Sequence, residues 1–151
     1  MIALRVVAGV TNHFMMRLPE WVNAVILTMF GLTLLQSGDT FNNPAFAVMK
    51  HYASENVWGA VLTGLGAVRL TALVLNGTFK WFARWSVRIR AGTATLCCFA
   101  WFCISAGLFM ADSGSTGAKT YAAHLIVDMI LAIHLGGQAG KVDRGIWNGR
   151  S

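Results

Sequence analysis

Four ionisable side chains, Arg69, His124, Asp128 and His134, stand inside long apolar stretches of the sequence. An ionisable group at membrane depth costs at least about 2.5–3.5 kcal/mol on insertion scales, so such groups usually face protein or water. An arginine and a carboxylate can form an ion pair that fixes the register of two helices. His124 precedes Asp128 by four residues on the same helical face, so these groups could instead relay protons or ions. His134 falls on a different face. The sequence leaves open a structural pair, a relay, or no contact at all.

The elements that must position these groups are membrane spans. Of the 151 residues, 56% are hydrophobic and 12% are charged, whereas soluble domains average about 45–50% and about 25%. About 20 apolar residues are needed to cross a bilayer, and only a helix satisfies its own backbone there. We predict one all-α membrane domain over residues 1–151, an up-down-up-down bundle of four transmembrane helices with short interfacial helices. The predicted spans are 21–38, 57–77, 91–111 and 120–137.

Depth along the spans predicts which charges meet. Arg69 follows Val57 by twelve residues, roughly 18 Å from the outer end of its span. Asp128 follows Tyr121 by seven residues, roughly 11 Å from the same side. The second and fourth spans run in the same direction and would lie on a diagonal of the bundle. A long arginine side chain can cover the remaining distance of roughly 7 Å. We therefore predict a buried intramembrane site of Arg69, Asp128 and the neighbouring His124.

A ridge of small residues on the second span predicts close helix packing. Gly59, Thr63, Ala67 and Thr71 recur every four residues. Small side chains let helix backbones approach one another in membranes. Further small contact points are expected at Gly31, Gly107, Gly136 and Gly137.

The distribution of cations predicts the orientation. Nine of the twelve Lys and Arg residues fall in the N-terminal segment, the 78–90 connection and the C-terminal tail. Cytoplasmic loops of membrane proteins are enriched in such residues. Both termini and the 78–90 connection of this multi-pass chain are therefore expected in the cytoplasm.

The 80–90 stretch combines cations with aromatic rings. Lys80, Arg84 and Arg88 form one helical stripe, and Trp81 with Trp85 forms the next. Nucleic-acid sites also interleave cations and aromatics. Because this stretch joins two spans, we interpret it as an interfacial anchor with indoles at the headgroups and cations at lipid phosphates. The expected partner is the lipid bilayer, and no nucleic acid is expected.

Two further segments, 1–17 and 43–54, are predicted to be interfacial. In the second, Asn43 followed by Pro44 is typical of a helix start. Apolar side chains of this segment, among them Met49, are expected to lie on the membrane.

Motifs for catalysis are missing from the sequence. Cys97, Cys98 and Cys103 have neither zinc nor redox spacing and fit small buried side chains. No dinucleotide-binding, phosphate-loop or nucleophile-elbow pattern is complete. We expect no catalytic residue, no metal, no cofactor and no enzymatic activity.

Three stretches carry a family resemblance: "WGAVLTGLGAVRLTALVLNGT", "WFCISAGL" and "STGAKTY", with an acidic residue in the last span. Over about residues 57–130 the chain resembles small four-span inner-membrane proteins encoded by tailed phages and prophages. The three cysteines, His124 and His134 are not part of that pattern. The resemblance implies a phage product of the inner membrane, of a kind often called holin-like.

Three functions follow as hypotheses. The first is a non-catalytic phage membrane protein that permeabilises the host membrane in a holin-like way, for which a homo-oligomer is expected. The second is a structural or accessory protein for virion assembly, genome delivery or superinfection exclusion. The third is a small ion or proton transporter that uses the Arg69–Asp128 site.

Overall fold

A computed structural model describes residue 14 and residues 17–78, 82–111 and 116–145. Within these residues the chain is helical and has no strand. The helices are α1 (Leu18–Ser37), α2 (Ala47–Tyr52), α3 (Glu55–Thr78), α4 (Ala83–Ala111) and α5 (Thr116–Asp143). All except the short α2 are long and apolar enough to cross a membrane. The predicted all-α bundle of four membrane-spanning helices is confirmed.

The four long helices form a ring with alternating direction. α1 packs closely along α3, α4 packs closely along α5, and the contacts α3–α4 and α1–α5 complete the ring. The diagonals therefore join α1 to α4 and α3 to α5. Residues typical of helix ends mark both ends of α1. Pro19 lies in its first turn, and Gly38 ends the helix with a left-handed φ of 66°.

Glycines set the distance between α1 and α3. A Cβ on Gly31 would lie 2.5 Å from the backbone nitrogen of Thr63, and one on Gly66 would lie 3.0 Å from that of Thr28. The contact ridge on α3 therefore runs through Gly59, Thr63 and Gly66, with spacings of four and three residues.

The predicted spacing of four throughout the ridge is wrong in its second half. Ala67 and Thr71 are exposed, because successive steps of four residues turn progressively away from a neighbouring helix, whereas alternating steps of four and three stay on one face. Of the other predicted contact points, Gly107 lies against the backbone of Ala45, whereas a Cβ added to Gly136 or Gly137 would meet no other helix within 4 Å.

The predicted interfacial stretch 80–90 is not a separate helix. α4 begins at Ala83 and continues without a break into the third span. Ser86, Val87 and Arg90 are buried in the bundle, and the Ser86 hydroxyl donates a hydrogen bond of 3.1 Å to the carbonyl of Ala72. One face of this stretch is thus part of the protein interior. Of the predicted interfacial segment 1–17, only Phe14 and Arg17 lie within the described residues.

The segment between α1 and α3 folds back onto the bundle. Its side chain Met49, which we expected on the membrane, is fully buried. The indole Nε1 of Trp58 donates a 2.9 Å hydrogen bond to the Met49 carbonyl, and Gly107 of α4 admits the backbone of Ala45. Expectation and structure differ because a tertiary hydrogen bond, rather than the apolar face of α2, decides where the segment lies.

Gly66→Ala should lower the stability of the bundle by about 1–3 kcal/mol, the usual range for inserting a methyl group into a filled interface. The new Cβ would meet the backbone of α1, which cannot yield without separating the helices. The measurement is thermal unfolding in detergent. Gly64→Ala is the matched control, since nothing lies within 4 Å of that position. Equal losses in the two variants would contradict a glycine-controlled contact.

Candidate functional site

An ion pair crosses the α3–α5 diagonal. Nη1 of Arg69 lies 2.7 Å from Oδ1 of Asp128, and both residues are 0% exposed. Helices α3 and α5 run in the same direction, so the two residues reach the same depth from opposite corners of the bundle. We name this contact the inner pair. The structure thus brings together two of the three predicted site residues; a functional role for them stays a prediction.

A second donor holds the carboxylate of the inner pair. Nε1 of Trp101, on α4, donates a hydrogen bond of 2.9 Å to Oδ2 of Asp128. Trp101 is itself fully buried. The Asp128 carboxylate therefore contacts two side chains, the Arg69 guanidinium through Oδ1 and the Trp101 indole through Oδ2. Sequence reasoning did not assign Trp101 to the site, although an indole N–H in an apolar span usually needs an acceptor.

His124 joins the site through stacking rather than through a hydrogen bond to Asp128. Its ring lies 5.2 Å from the Trp101 ring, nearly parallel to it. Its Nδ1 lies 2.8 Å from the side-chain oxygen of Asn23 on α1. An amide oxygen only accepts, so Nδ1 carries the proton in this contact. His124 consequently connects α5 to α1, which the sequence did not indicate.

This geometry bears on the relay of protons or ions, one of the alternatives that the sequence leaves open. The indole of Trp101 lies between the stacked His124 ring and the Asp128 carboxylate, and an indole N–H donates a hydrogen bond but cannot accept one. Proton transfer needs a chain of groups that do both. The observed contacts therefore favour a structural pair over a relay, because they hold the charge of Asp128 in place.

A second buried ion pair crosses the other diagonal. Nε of Arg90 on α4 donates to Oε2 of Glu20 on α1 at 2.7 Å, and its Nη2 contacts Oε1. Arg90 is 3% exposed and Glu20 is 4% exposed. We name this contact the end pair, since it ties the first turn of α1 to the early part of α4.

The end pair corrects the sequence interpretation. The positive-inside count places Arg90 with the cations that face the cytoplasm, whereas its side chain is buried in the bundle. The sequence does contain a signal for the end pair. Glu20 and Arg90 carry opposite charges, and each lies just before a predicted span. Next to the pair, burial lowers the pKa of Arg17 to about 10, and the charge of Arg90 acts in the same direction. Arg17 still carries its charge at neutral pH.

The predicted anchor residues differ in their surroundings. Arg84 and Trp85 are exposed at the start of α4, which suits a lipid-facing role. The guanidinium of Arg88 lies 5.4 Å from the centre of the Trp85 ring and forms an exposed ion pair with Asp143 at the end of α5. Lys80 and Trp81 lie outside the described residues. Binding of these side chains to lipid stays a prediction.

Cysteine chemistry has little support at the site. Cys97 lies near both members of the inner pair and is buried, as is Cys103, while Cys98 is partly buried. Within the described residues, no group of three His, Cys, Asp or Glu side chains is placed to hold a metal ion. All three cysteines are free thiols, which agrees with their interpretation as small apolar side chains.

Comparison of the chain with family models, with curated proteins and with solved structures gives no match. The resemblance to phage membrane proteins stays a prediction from the sequence motifs. Functional inference therefore depends on the geometry described above.

Arg69→Ala and Asp128→Ala should each reduce stability by about 3–5 kcal/mol, because each leaves the other charge buried without its partner. Replacing both residues by Leu should recover much of that loss, since apolar replacement of a buried pair is often neutral or stabilising. Thermal unfolding in detergent of the single variants and the double variant measures this coupling.

Arg88→Ala is the control for the inner pair, because an exposed pair contributes little to stability. Additive losses in the Leu double variant would mean that Arg69 and Asp128 do not meet in the folded protein.

Proposed function

We propose that this chain is a non-catalytic inner-membrane protein of the phage or prophage type that permeabilises the host membrane in a holin-like manner. The single observation that carries the proposal is a small four-helix bundle in which each buried carboxylate is paired with an arginine. Such a bundle offers no charged path through itself. Permeabilisation then arises between copies in the bilayer rather than through one molecule. The motif resemblance supplies the phage assignment.

The cytoplasmic position of both termini is part of this proposal. Arg84, Arg88 and Arg90 lie near the start of α4, and Lys141 lies near the end of α5. The end pair and the Arg88–Asp143 contact bring these helix ends to one end of the bundle. A single cationic end is what the positive-inside rule predicts for the cytoplasmic side.

The other two hypotheses differ in their support. Transport through the inner pair is disfavoured by the locked carboxylate and by the indole beside it. A structural role in virion assembly, genome delivery or superinfection exclusion is compatible with the same closed bundle. The expression experiment below separates that role from permeabilisation.

Expression of the chain in a bacterial host should collapse the membrane potential, followed with a potential-sensitive dye. A variant with Leu at both Arg69 and Asp128 should depolarise equally well, because the proposed path does not use the inner pair. Loss of activity in that folded variant would support transport through the pair instead. A chain that accumulates in the membrane and leaves the potential unchanged would contradict permeabilisation and favour the structural role.

Fusions of a reporter that is active only outside the cytoplasm should test the orientation. Fusions after Asn43 or Ser115 should be active, whereas fusions after Arg84 or Arg150 should be inactive. The readout is reporter activity normalised to the amount of fusion protein. An active Arg84 fusion would reverse the orientation and remove the cytoplasmic anchor.

A further inference from the structure

Helix α5 is the least covered of the four spans. In its most apolar part 11% of the residues are buried, compared with 33% in α1, 39% in α3 and 44% in α4. Its inner face holds Asp128 and Leu135, which are buried, while Ile130 and Ile133 on the outer side are 61% and 74% exposed. Apolar residues alone would be satisfied by lipid, so exposure by itself does not indicate a partner.

Polar groups on the same outer side do indicate one. His134 is exposed, and Nε2 of Gln138 lies 2.9 Å from its Nε2. The amide nitrogen donates, so the imidazole carries its proton on Nδ1. In the part of the chain that the structure describes, no acceptor for this second nitrogen is found. A polar side chain within a membrane span normally faces protein or water rather than lipid.

The depth of His134 follows from the two contacts at the cationic end. Arg88 contacts Asp143 and Arg90 contacts Glu20, so the end of α5 lies level with the start of α1. Since α1 has 20 residues, about the length that crosses the hydrocarbon, that level is close to the edge of the bilayer. His134 precedes Asp143 by nine residues and therefore lies about 13 Å deeper.

Spacing along this side matches a helix-pairing seam. Six residues follow one another at intervals of four and three residues, the pattern with which two helices pack side by side. We name them the α5 seam: Ala123, Val127, Ile130, His134, Gly137 and Lys141. Five are exposed and Val127 is half-buried. A Cβ added to Gly137 would meet nothing within 4 Å, so another backbone can approach there.

We propose that the α5 seam is the contact between two copies of this chain, which pair in parallel about a two-fold axis. A second copy in the same orientation presents His134 and Gln138 at the same depth. The Nδ1–H of His134 in each copy then donates a hydrogen bond to the side-chain oxygen of Gln138 in the other copy. Each polar group thereby gains a partner. An unrelated helix would have to carry polar groups at that depth by chance.

Cysteine cross-linking in membranes tests the pairing on the full chain. The starting variant has Cys97, Cys98 and Cys103 replaced by Ala, so that it cannot cross-link. Ile130→Cys places a thiol on the α5 seam, and Met129→Cys is the matched control, equally apolar and 48% exposed but turned by about 100°. Mild oxidation should give dimers with the first variant and few with the second. Equal yields, or none with Ile130→Cys, would overturn the proposal.

A second comparison tests the role of the polar groups. Replacing His134 and Gln138 by Leu should lower the Ile130→Cys cross-linking yield about fivefold, because lipid solvates Leu as well as another helix does. The helical fold of this variant, followed by circular dichroism, should be retained, since His134 is exposed and Gln138 is only half-buried. An unchanged yield would overturn the polar pairing.

A third measurement keeps the native cysteines. It compares, by sedimentation in detergent, the wild-type chain with the variant that has Leu at His134 and Gln138. A monomeric wild type would overturn the pairing. The inference does not require the proposed permeabilisation: cross-linking reports on pairing alone, and the dye reports on membrane potential alone.

Discussion

A buried guanidinium is the constraint on which the arrangement of the helices depends. Arg69 has no exposure to solvent, and an uncompensated charge there would cost several kcal/mol. Asp128 offsets that cost only if α3 and α5 face each other across the bundle at the same depth. Trp101 then brings α4 to the same carboxylate, and His124, stacked on Trp101, reaches Asn23 of α1. A single polar network thus touches all four spans.

Charge and glycine have separate tasks in this bundle. The inner pair and the end pair each join one diagonal, so together they determine which helices stand opposite each other. The two ion pairs do not determine the distance between adjacent helices. That distance is set between α1 and α3 by Gly31, Gly59 and Gly66, whose missing side chains let the two backbones meet. Since water is absent from a bilayer core, such close contact and polar bonds, rather than hydrophobic burial, hold helices together.

The outer surface of the bundle is mostly apolar because the paired charges lie inside. With Arg69, Asp128, Glu20 and Arg90 paired inside, the lipid-facing side is mostly apolar, and His134 with Gln138 stands out on α5. This contrast connects the two proposals. In the permeabilisation that we propose, a closed bundle acts through its outer surface, and the α5 seam places the exposed His134 on that surface.

Much of the architecture was determined by the sequence itself. The number of spans follows from the length and apolar character of four stretches, and these are local properties. The contact between Arg69 and Asp128 followed from counting residues along two spans that run in the same direction, because the helical rise is constant. Depth could therefore be predicted wherever both residues belong to regular helices.

What only the tertiary structure decided was rotation about the helix axes and the choice among possible partners. His124 lies on the predicted face of α5, yet its hydrogen bond goes to Asn23 because the Trp101 ring occupies its side towards Asp128. Arg90 turns inward because Glu20 of a distant helix is there to receive it. Met49 is buried because Trp58 binds its carbonyl. Hydropathy and periodicity describe one helix at a time, and such partners exist only after the helices have packed.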